Sequence, residues 1–381
     1  MKRIGVLLLV LSTATARGQL SSTEIGGYIK YLLSRTDLPS TAPSYDHLLH
    51  ARLNTKWFPS STLSGVLELR GRAYYGGIVE DTPDFANSLK SNAGFGSLGS
   101  VLWVDRKSVG YAEIDRVYLN WAPDRWQATL GRQRIAWGTN LVWNPIDLFN
   151  PQSVLDFDYE ERPATDAARL QYYTSEVSKL ELAVKPGTAT SPAITGGQVT
   201  LNRWDYDFHF LGGSRSGQWF AGLGWAGDIL GGGFRGELLT SGVPQSLRRS
   251  PSSDVMVSTA ISGDYTFPSS FYIHTEVMYN SEGVTSEAAL ALLRAQSLGL
   301  LSPARWSLYQ EFSYDVTPLV RASVFTLANP SDGSFVIFPS ATWSVVTDLD
   351  LTAIALIFGG PPRTEFGGQG TSAFVRIKWS F

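Results

Sequence analysis

The chain ends with the stretch SAFVRIKWSF, residues 372–381, in which apolar and polar side chains alternate. The apolar set, at every second position, is Ala373, Val375, Ile377, Trp379 and Phe381, and the polar residues between its later members are Arg376, Lys378 and Ser380. Successive side chains of a β-strand point to opposite faces, so this stretch predicts a strand with one apolar and one polar face. It raises the question of what covers an apolar face that continues to the last residue.

The same period of two recurs along the chain, for example in residues 49–57, 63–73 and 271–277. Such segments have about ten residues, the length that a tilted strand needs to cross a membrane. The pattern predicts about eighteen strands, and a count of about sixteen is also compatible with it. The predicted strands cover roughly residues 23–34, 47–58, 62–75, 110–121, 126–136, 165–174, 178–186, 196–203, 205–212, 217–227, 231–241, 253–265, 270–280, 306–315, 318–328, 333–345, 349–359 and 371–381.

The connections between these segments alternate in length. Short turns lie at 59–61, 122–125, 267–269, 316–317 and 346–348, and mostly long connections lie around 76–109, 137–164, 242–252, 281–305 and 360–370. Outer-membrane barrels have short periplasmic turns at one end and longer outer loops at the other. We therefore predict an all-β fold, a transmembrane antiparallel β-barrel formed by residues 19–381 and closed by its last strand.

The N-terminus predicts export. Lys2 and Arg3 precede the apolar run 4–11 and a group of small residues, the pattern of a secretory signal peptide, here residues 1–18. No later segment has about 18 continuous apolar residues, so no helical membrane span is expected. The chain has no cysteine and a net charge of −3, which excludes disulfides and thiolate metal sites and does not suggest nucleic-acid binding. We expect the chain in the bacterial outer membrane, in contact with lipid.

The cost of placing charge in lipid orients the strands. An arginine or lysine at the lipid midplane costs about 2–4 kcal/mol, so Arg52 and Lys56 are expected to face the lumen. The pore-lining candidates obtained in this way are Arg52, Glu68, Arg70, Arg72, Arg132, Arg134, Arg169 and Glu276. A wall rich in arginine favours anionic solutes. The alternative is that these charges pair across neighbouring strands and stiffen the wall, and the sequence leaves both interpretations open.

The segment LGRQRIAWGTNLVWNPIDLFNP, residues 130–151, follows a predicted strand and enters a long loop. Its Gly-Arg-Gln and Trp-Gly pairs and its Asn-Pro…Asp-Leu-Phe-Asn-Pro run resemble porin-type outer-membrane barrels, including alginate-export-like proteins and related uncharacterised porin-like families. Residues 327–334 are similar to the same group. The resemblance implies a passive or selective pore whose loop 137–164 bends into the lumen. The constriction-loop candidates are Trp137, Trp143, Asp147 and Phe149.

The aromatic end of the last predicted strand also resembles a known signal. It is similar to the Phe-terminated C-terminal signature of outer-membrane barrels that their assembly machinery recognises. Trp379 and Phe381 carry this resemblance. It implies contact with the barrel-assembly machinery during biogenesis.

Other motifs predict no catalytic or cofactor chemistry. The four histidines lie on different predicted strands without metal-ligand spacing, so we expect neither a metal nor another cofactor. His274 shares a predicted face with Glu276, but no serine is placed to complete a hydrolase triad, and we expect no enzyme. The letters GFGSLG, residues 94–99, match a dinucleotide fingerprint that requires a preceding strand and a following helix, and neither is predicted here.

Two segments predict local irregularity. In residues 111–121, Glu113 and Asp115 share a phase with apolar Val117, which predicts either a bulge near Arg116 or a position for the acids close to the outer end. Residues 286–301 predict a short helix in a long loop with its N-cap at Ser286. The helix could pack on the rim of the barrel or fold inward, and we favour the rim.

Taken together, the sequence predicts an outer-membrane, porin-like channel for passive or weakly selective passage of small hydrophilic solutes, with anionic solutes as a candidate class. The alternative is a closed structural or assembly barrel whose outer loops bind a partner. A large siderophore-type receptor is disfavoured because the first predicted strand, 23–34, leaves no room for an N-terminal plug domain. The sequence leaves the solute, the openness of the lumen and the oligomeric state undetermined.

Overall fold

The structure is a computed structural model and describes residues 22–39, 42–89, 96–151, 155, 158, 160–188, 191–250 and 254–381. The predicted signal peptide lies outside the described residues. Most regular structure in the described part of the chain is β-strand, as the period of two predicts. Within that part, no helix is both long and apolar enough to cross a membrane.

The described residues form nineteen strands and three short helices. The first ten strands are β1 (Ser22–Asp37), β2 (Ser44–Phe58), β3 (Leu63–Gly76), β4 (Gly99–Val104), β5 (Ser108–Trp121), β6 (Trp126–Gln133), β7 (Thr165–Tyr173), β8 (Lys179–Lys185), β9 (Ile194–Arg203) and β10 (Tyr206–Arg215). The others are β11 (Gln218–Ile229), β12 (Gly232–Gly242), β13 (Val255–Thr266), β14 (Phe271–Asn280), β15 (Trp306–Thr317), β16 (Val320–Asn329), β17 (Ser334–Val346), β18 (Leu349–Gly359) and β19 (Thr371–Ser380). The helices are α1 (Gly77–Asp81), α2 (Phe85–Ser88) and α3 (Leu292–Leu298), and 3₁₀ turns cover Gln245–Leu247 and Ala288–Ala291.

The strands close into a single antiparallel barrel. Neighbours along the chain pair with each other, and β1 pairs with both β2 and β19. The exception is β4, an extra strand, because β3 pairs directly with β5. Among the described residues the wall therefore has eighteen strands, and each matches a predicted segment to within about three residues at either end. The predicted fold is confirmed.

The connections at the two ends of the barrel differ in length. At one end, called the short-turn end, they are residues 59–62, 122–125, 174–178, 204–205, 230–231, 267–270, 318–319 and 347–348. The other end, called the long-loop end, carries residues 38–43, 77–107, 134–164, 186–193, 216–217, 243–254, 281–305, 330–333 and 360–370. The predicted alternation is confirmed, although 216–217 and 330–333 are short turns at the long-loop end.

The two faces of the wall have opposite character. On β2, Leu49, Leu53 and Trp57 point outward and are 49%, 36% and 46% exposed. Between them, His50 and Arg52 point inward and are 1% and 2% exposed. Because a charge in lipid is costly, this is the orientation that the sequence predicts for a barrel with lipid outside.

A β-bulge interrupts β5, which is one of the two alternatives that the sequence leaves open near Arg116. Glu68 of β3 pairs with Arg116, whereas the next residue, Leu69, pairs with Ile114. Asp115 is therefore the extra residue. The bulge restores the inward direction of the acidic side chains while the apolar residues that follow it face outward.

The segment between β3 and β5 contains structure that the sequence does not predict. Residues 76–109 are assigned to a loop from the sequence, but α1, α2 and β4 lie within them. β6 pairs only with residues 117–121 of β5, and β4 pairs with residues 109–113, so β4 supplies the hydrogen bonds that the short β6 leaves unmade. No helix follows Gly99, where β4 begins, which disfavours the dinucleotide motif, and residues 90–95 lie outside the described part.

The helix predicted at 286–301 is present but begins later. A 3₁₀ turn over Ala288–Ala291 leads into α3, Glu287 has a left-handed φ of 49°, and neither element has a side-chain cap. The prediction of Ser286 as N-cap was therefore wrong, because the left-handed residue separates it from the first turn. Leu298 of α3 is 3% exposed and packs with Val243 and Met256, which places the helix on the rim as favoured.

The barrel seam generates a testable prediction. The Gly27 N–H donates to the Phe381 carbonyl at 2.9 Å, and the Phe381 N–H donates to the Gly27 carbonyl at 3.0 Å. A Cβ at Gly27 would lie 2.2 Å from the backbone oxygen of Arg52 on β2 and 2.9 Å from the Phe381 ring across the seam, so we expect Gly27→Ala to destabilise the folded barrel by about 1–3 kcal/mol. The heat-modifiable folded band on a gel, followed against temperature, measures this loss.

Gly71→Ala is the matched control, because a Cβ at Gly71 meets no atom within 4 Å. Equal unfolding temperatures for the two variants would contradict the importance of close packing at the seam.

Candidate constriction inside the barrel

The connection between β6 and β7, residues 134–164, is here called the inner loop, and its described residues, 134–151, 155, 158 and 160–164, run inside the barrel. Its side chains Ile135, Trp137, Ile146 and Phe149 are at most 2% exposed. They form one cluster with inward-facing residues of the neighbouring wall, Ala167, Ala183, Ile194, Leu211, Phe220 and Leu239. Burial of this apolar surface holds the first half of the inner loop against strands β7–β12.

Buried carboxylates of the wall bind the backbone of the inner loop. Glu237 on β12 is 0% exposed and accepts hydrogen bonds from the N–H groups of Thr139, Asn140 and Ile146, the last two at 3.0 Å. The Thr139 hydroxyl donates to the same carboxylate at 3.1 Å. Three backbone donors that irregular structure would leave unpaired are thus satisfied by one charged acceptor.

Glu276 on β14 binds the next part of the loop backbone in the same way. It is also 0% exposed, and it accepts from the N–H of Trp143 at 2.7 Å and from that of Val142 at 3.2 Å. On β8, Glu181 accepts from the indole N–H of Trp137 at 2.7 Å. The first half of the inner loop is therefore fixed to three wall strands by three buried carboxylates.

The second half of the inner loop reaches a different part of the wall. Asp158 lies 3.1 Å from the ammonium of Lys30 on β1 and 2.8 Å from Nδ1 of His50 on β2. Lys30 is 0% exposed and also donates to the Asp158 carbonyl oxygen. The nearby His50 and Lys30 hold the pKa of Asp158 below its ordinary value although burial opposes this effect.

Two further acids extend this contact. Glu160 pairs with Lys378 and, at 3.3 Å, with Arg376, both on β19. Glu161 accepts a hydrogen bond from the Tyr28 hydroxyl at 3.1 Å and lies 3.5 Å from Arg52. The inner loop thus crosses the lumen, from carboxylates on β8, β12 and β14 to cations on β19, β1 and β2.

The predicted pore-lining arginines near the start of the chain lie inside the barrel and are paired with acids. Arg52 pairs with Glu68 and, at 2.6 Å, with Asp115. Arg70 and Arg72 both contact Glu113, at 2.5 Å and 3.3 Å. This pairing is the arrangement expected if the charges stiffen the wall, and it leaves little of their charge free to act in the lumen.

The remaining predicted residues separate into three groups. Arg169 pairs with Glu181 at 2.7 Å, on the inner face, and Glu276 binds the inner loop as described. Arg132 differs from the expectation: it shares the strand face of outward Leu130, is 4% exposed and pairs with Asp166 at 2.7 Å. The outward position is tolerated because Arg132 has an ion partner, donates to the Gly96 carbonyl and lies one residue from the end of β6.

Arg134 begins the inner loop and is exposed. Partial burial of its guanidinium, and then the charges of Arg162 and Arg116, lower the pKa of Arg134 from its ordinary value. Arg162 pairs with Asp147 at 3.1 Å, and burial raises the pKa of Asp147 to about 6 against the effect of Arg162. In the described residues no acid lies within ion-pair distance of Arg134, so it contributes net positive charge at this point.

Opposite the charged region, the lumen has an apolar inner wall formed by β13–β18. Its buried members are Ala260, Met278, Tyr309, Leu327, Val336, Phe338, Ile354 and Leu356, and Trp143 of the inner loop packs against them. Ring centroids are 6.5 Å apart for Trp143 and Tyr309, 5.4 Å for Tyr309 and Phe325 and 4.4 Å for Phe325 and Phe338. Strands such as β18 have apolar residues on both faces, and this is the sequence signal for the apolar inner wall. A search for alternating apolar and polar residues does not detect it.

The carboxylate anchors generate a second prediction. We expect Glu237→Ala to increase amide hydrogen exchange at Thr139, Asn140 and Ile146 by about tenfold or more, because each hydrogen bond to a charged group contributes about 1.5–3 kcal/mol. Mass-spectrometric hydrogen exchange on the purified barrel measures this. Asp350→Ala is the control, since Asp350 accepts from Ser344 within the wall at 2.7 Å. Unchanged exchange in Glu237→Ala would show that the apolar cluster alone holds the loop.

Comparison with solved structures finds this architecture in outer-membrane porins. OccAB3 of Acinetobacter baumannii superposes with a TM-score of 0.61 at 10% identity, covering 94% of this chain and 99% of that chain. OccK5 of Pseudomonas aeruginosa gives 0.59 at 8% identity, over 96% and 99% of the two chains. OmpF of Salmonella typhi, in a complex with daunomycin, gives 0.52 at 10% identity, over 95% and 98%.

No protein-family model and no curated protein matches the sequence. At these identities the structural likeness concerns the fold. It confirms the resemblance to porin-type barrels at that level, and the narrower resemblance to alginate-export-like proteins stays a prediction. The chain has the closed barrel architecture of the outer-membrane porins, with a loop folded into its lumen.

Proposed function

We propose that this protein is an outer-membrane channel for small hydrophilic solutes, with the inner loop as its constriction. One observation carries the proposal. The inner loop reaches across the lumen of a closed barrel, and its described residues are held at both sides of the wall by buried charges. An eighteen-strand barrel encloses enough room for an aqueous channel, and a loop fixed at mid-lumen sets the size and charge of what passes.

The outer surface supports placement in a membrane. Large apolar side chains cover it, and tryptophans with about half of their surface exposed lie near strand ends: Trp57, Trp121, Trp126 and Trp343 at the short-turn end, and Trp219 and Trp306 at the long-loop end. Aromatic girdles of this kind mark the two interfaces of a membrane barrel. Likeness in fold to outer-membrane porins supports the same location.

The proposed selectivity rests on the inner loop, where Arg134 has no acid within ion-pair distance among the described residues. Arg52, Arg70 and Arg72 are paired with acids and act as structural pore-lining residues. Arg134, beside Arg162, provides net positive charge at the start of the inner loop. We propose a weak preference for anions that originates at Arg134, with Trp137, Trp143, Asp147 and Phe149 shaping the constriction.

The proposal also covers biogenesis. Residues 1–18 direct export and are removed. Trp379 and Phe381, which are 49% and 50% exposed with their rings 5.3 Å apart, present an aromatic end to the barrel-assembly machinery. No catalytic chemistry is assigned to the barrel.

The second candidate, a closed barrel that binds a partner through its outer loops, is favoured by the same loop. The inner loop contacts strands on both sides of the lumen, namely β8, β12, β14, β19, β1 and β2. Such a loop could close the lumen completely as well as narrow it. Conductance distinguishes the two candidates.

The channel predicts ion conductance in planar bilayers and swelling of liposomes in small neutral sugars. Purified, heat-modifiable barrel should give discrete current steps in potassium chloride, and swelling should slow as the sugar becomes larger. Folded protein that gives neither signal, at any voltage, would favour the closed barrel.

The role of Arg134 predicts a change in charge preference. In a salt gradient, Arg134→Ala should shift the zero-current potential towards cation preference, with the anion-to-cation permeability ratio falling by a factor of about two. The control is Arg363→Ala at the long-loop end, where Arg363 is exposed and pairs with Glu287 at 3.5 Å. Equal shifts in both variants would assign the selectivity to the general surface charge.

A further inference from the structure

A cavity opens among the loops at the long-loop end, where the inner loop meets the apolar inner wall. Its volume is about 320 Å³, within the range of small-molecule sites. Its apolar lining includes Trp143, Leu327 and Phe366, and its polar lining is Ser302, Gln369 and Glu365. The cavity is large enough for a molecule with a single ring.

Glu365 is the charged group of this cavity. Its carboxylate accepts from the Ser302 hydroxyl at 2.8 Å and from the Asn329 amide at 3.1 Å. An ionised carboxylate can accept about four hydrogen bonds, so these two leave half of its capacity for another donor. Among the described residues no cationic side chain lies within ion-pair distance of it; the neighbouring Arg363 pairs instead with Glu287.

A second negatively charged group lies close to Glu365. Its own N–H donates to Asp332 at 2.9 Å, which brings a second carboxylate close. Burial raises the pKa of Glu365 to about 7 against the hydrogen bonds from Ser302 and Asn329, and the charge of Asp332 adds to the effect of burial. A cation that enters the cavity would relieve both effects.

The apolar lining continues into the lumen. Phe366 and Trp143 belong to the same cluster as Tyr309, Leu327 and Phe338 of the apolar inner wall. A flat apolar group held against Trp143 would therefore have a continuous row of aromatic side chains ahead of it.

We propose that this cavity is an entry site that binds a small primary amine with an aromatic or aliphatic body, its ammonium on Glu365 and its body against Trp143, Leu327 and Phe366. An anion would be repelled by Glu365 and Asp332, and a wholly apolar molecule would leave the carboxylate without a partner. The inference rests on the proposed channel function, because an entry site requires a path beyond it. Occupation places the amine against the inner loop at Trp143 and Leu155.

Calorimetric titration of the purified barrel in detergent with 2-phenylethylamine tests the site. We expect one binding event that Glu365→Gln weakens about tenfold or more, because the variant loses the charge of the acceptor. Glu287→Gln, which removes an exposed acid of the same rim, should bind as the unchanged protein does. Ala289→Leu, which narrows the cavity while keeping Glu365, should also weaken binding, and the heat-modifiable band verifies that each variant is folded.

The charge-reversed probe 3-phenylpropanoate should bind at least about tenfold more weakly than the amine. Equal binding of both probes, or no binding of the amine to folded protein, would overturn the proposal. Ion conductance of the same preparation is measured separately. A barrel that conducts ions but does not bind the amine therefore refutes only the entry site. A barrel that binds the amine but does not conduct refutes only the channel.

Affinity should also depend on pH in a definite direction. The amine stays protonated below about pH 9, so the group that titrates is Glu365, which faces Asp332, Ser302 and Asn329. As pH falls from about 8 to about 6 the carboxyl becomes protonated and affinity should fall, approaching tenfold per unit below its pKa. A Glu365→Gln variant with the same pH profile would assign the dependence to another group and contradict the site.

Discussion

The interior of this barrel depends on wall carboxylates that accept hydrogen bonds from the backbone of the inner loop. An irregular segment inside a closed cylinder has many N–H groups and no neighbouring strand to receive them, and an unpaired buried donor costs about 1–3 kcal/mol. Glu237 and Glu276 supply charged acceptors from rigid strands, so the loop is satisfied at the cost of burying two charges. The same hydrogen bonds offset the desolvation cost of the buried carboxylates, because the rigid strands place each carboxylate within reach of several backbone donors. Together with the apolar packing of its ring, they position Trp143, which forms one wall of both the constriction and the entry cavity.

The far side of the inner loop is held by a different force. Asp158 and Glu160 meet Lys30 and Lys378, which would otherwise be cations pointing into the lumen. A wall that looks strongly basic in the sequence is therefore largely neutralised, partly by acids of adjacent strands and partly by acids that the loop brings across. Within the inner loop, what remains is a local excess at Arg134 and Arg162 rather than a uniformly positive surface. A local excess biases the passage of ions without closing the channel to neutral solutes.

The wall could be predicted from the sequence and the interior could not, for physical reasons. Strand positions, facing and the bulge at Asp115 follow from a local rule, because side chains alternate between the two faces and a cation at the lipid midplane costs about 2–4 kcal/mol. The contacts of Glu237 and Glu276 join residues about a hundred positions apart or more, and no local pattern encodes them. Arg132 was placed on the wrong face because its ion partner Asp166, which makes the outward position tolerable, belongs to the next strand. The apolar inner wall was missed for the opposite reason: inward apolar residues weaken the alternation instead of producing it.

The apolar inner wall affects which solutes can make favourable contacts at the constriction. The inner loop separates a charged half of the lumen, built by β19 and β1–β5, from a half that carries the aromatic cluster of β13–β18 beside the ionisable groups His274, Glu276 and Glu311. A wholly hydrated ion gains nothing from Phe325 and Phe338, and a wholly apolar molecule gains nothing from Arg134. A molecule with one charged end and one apolar end can contact both halves at once, and each contact replaces some of the water that it loses on entering. The proposed entry site makes the same demand of a single molecule, because it offers Glu365 to the charged end and Trp143 to the apolar end.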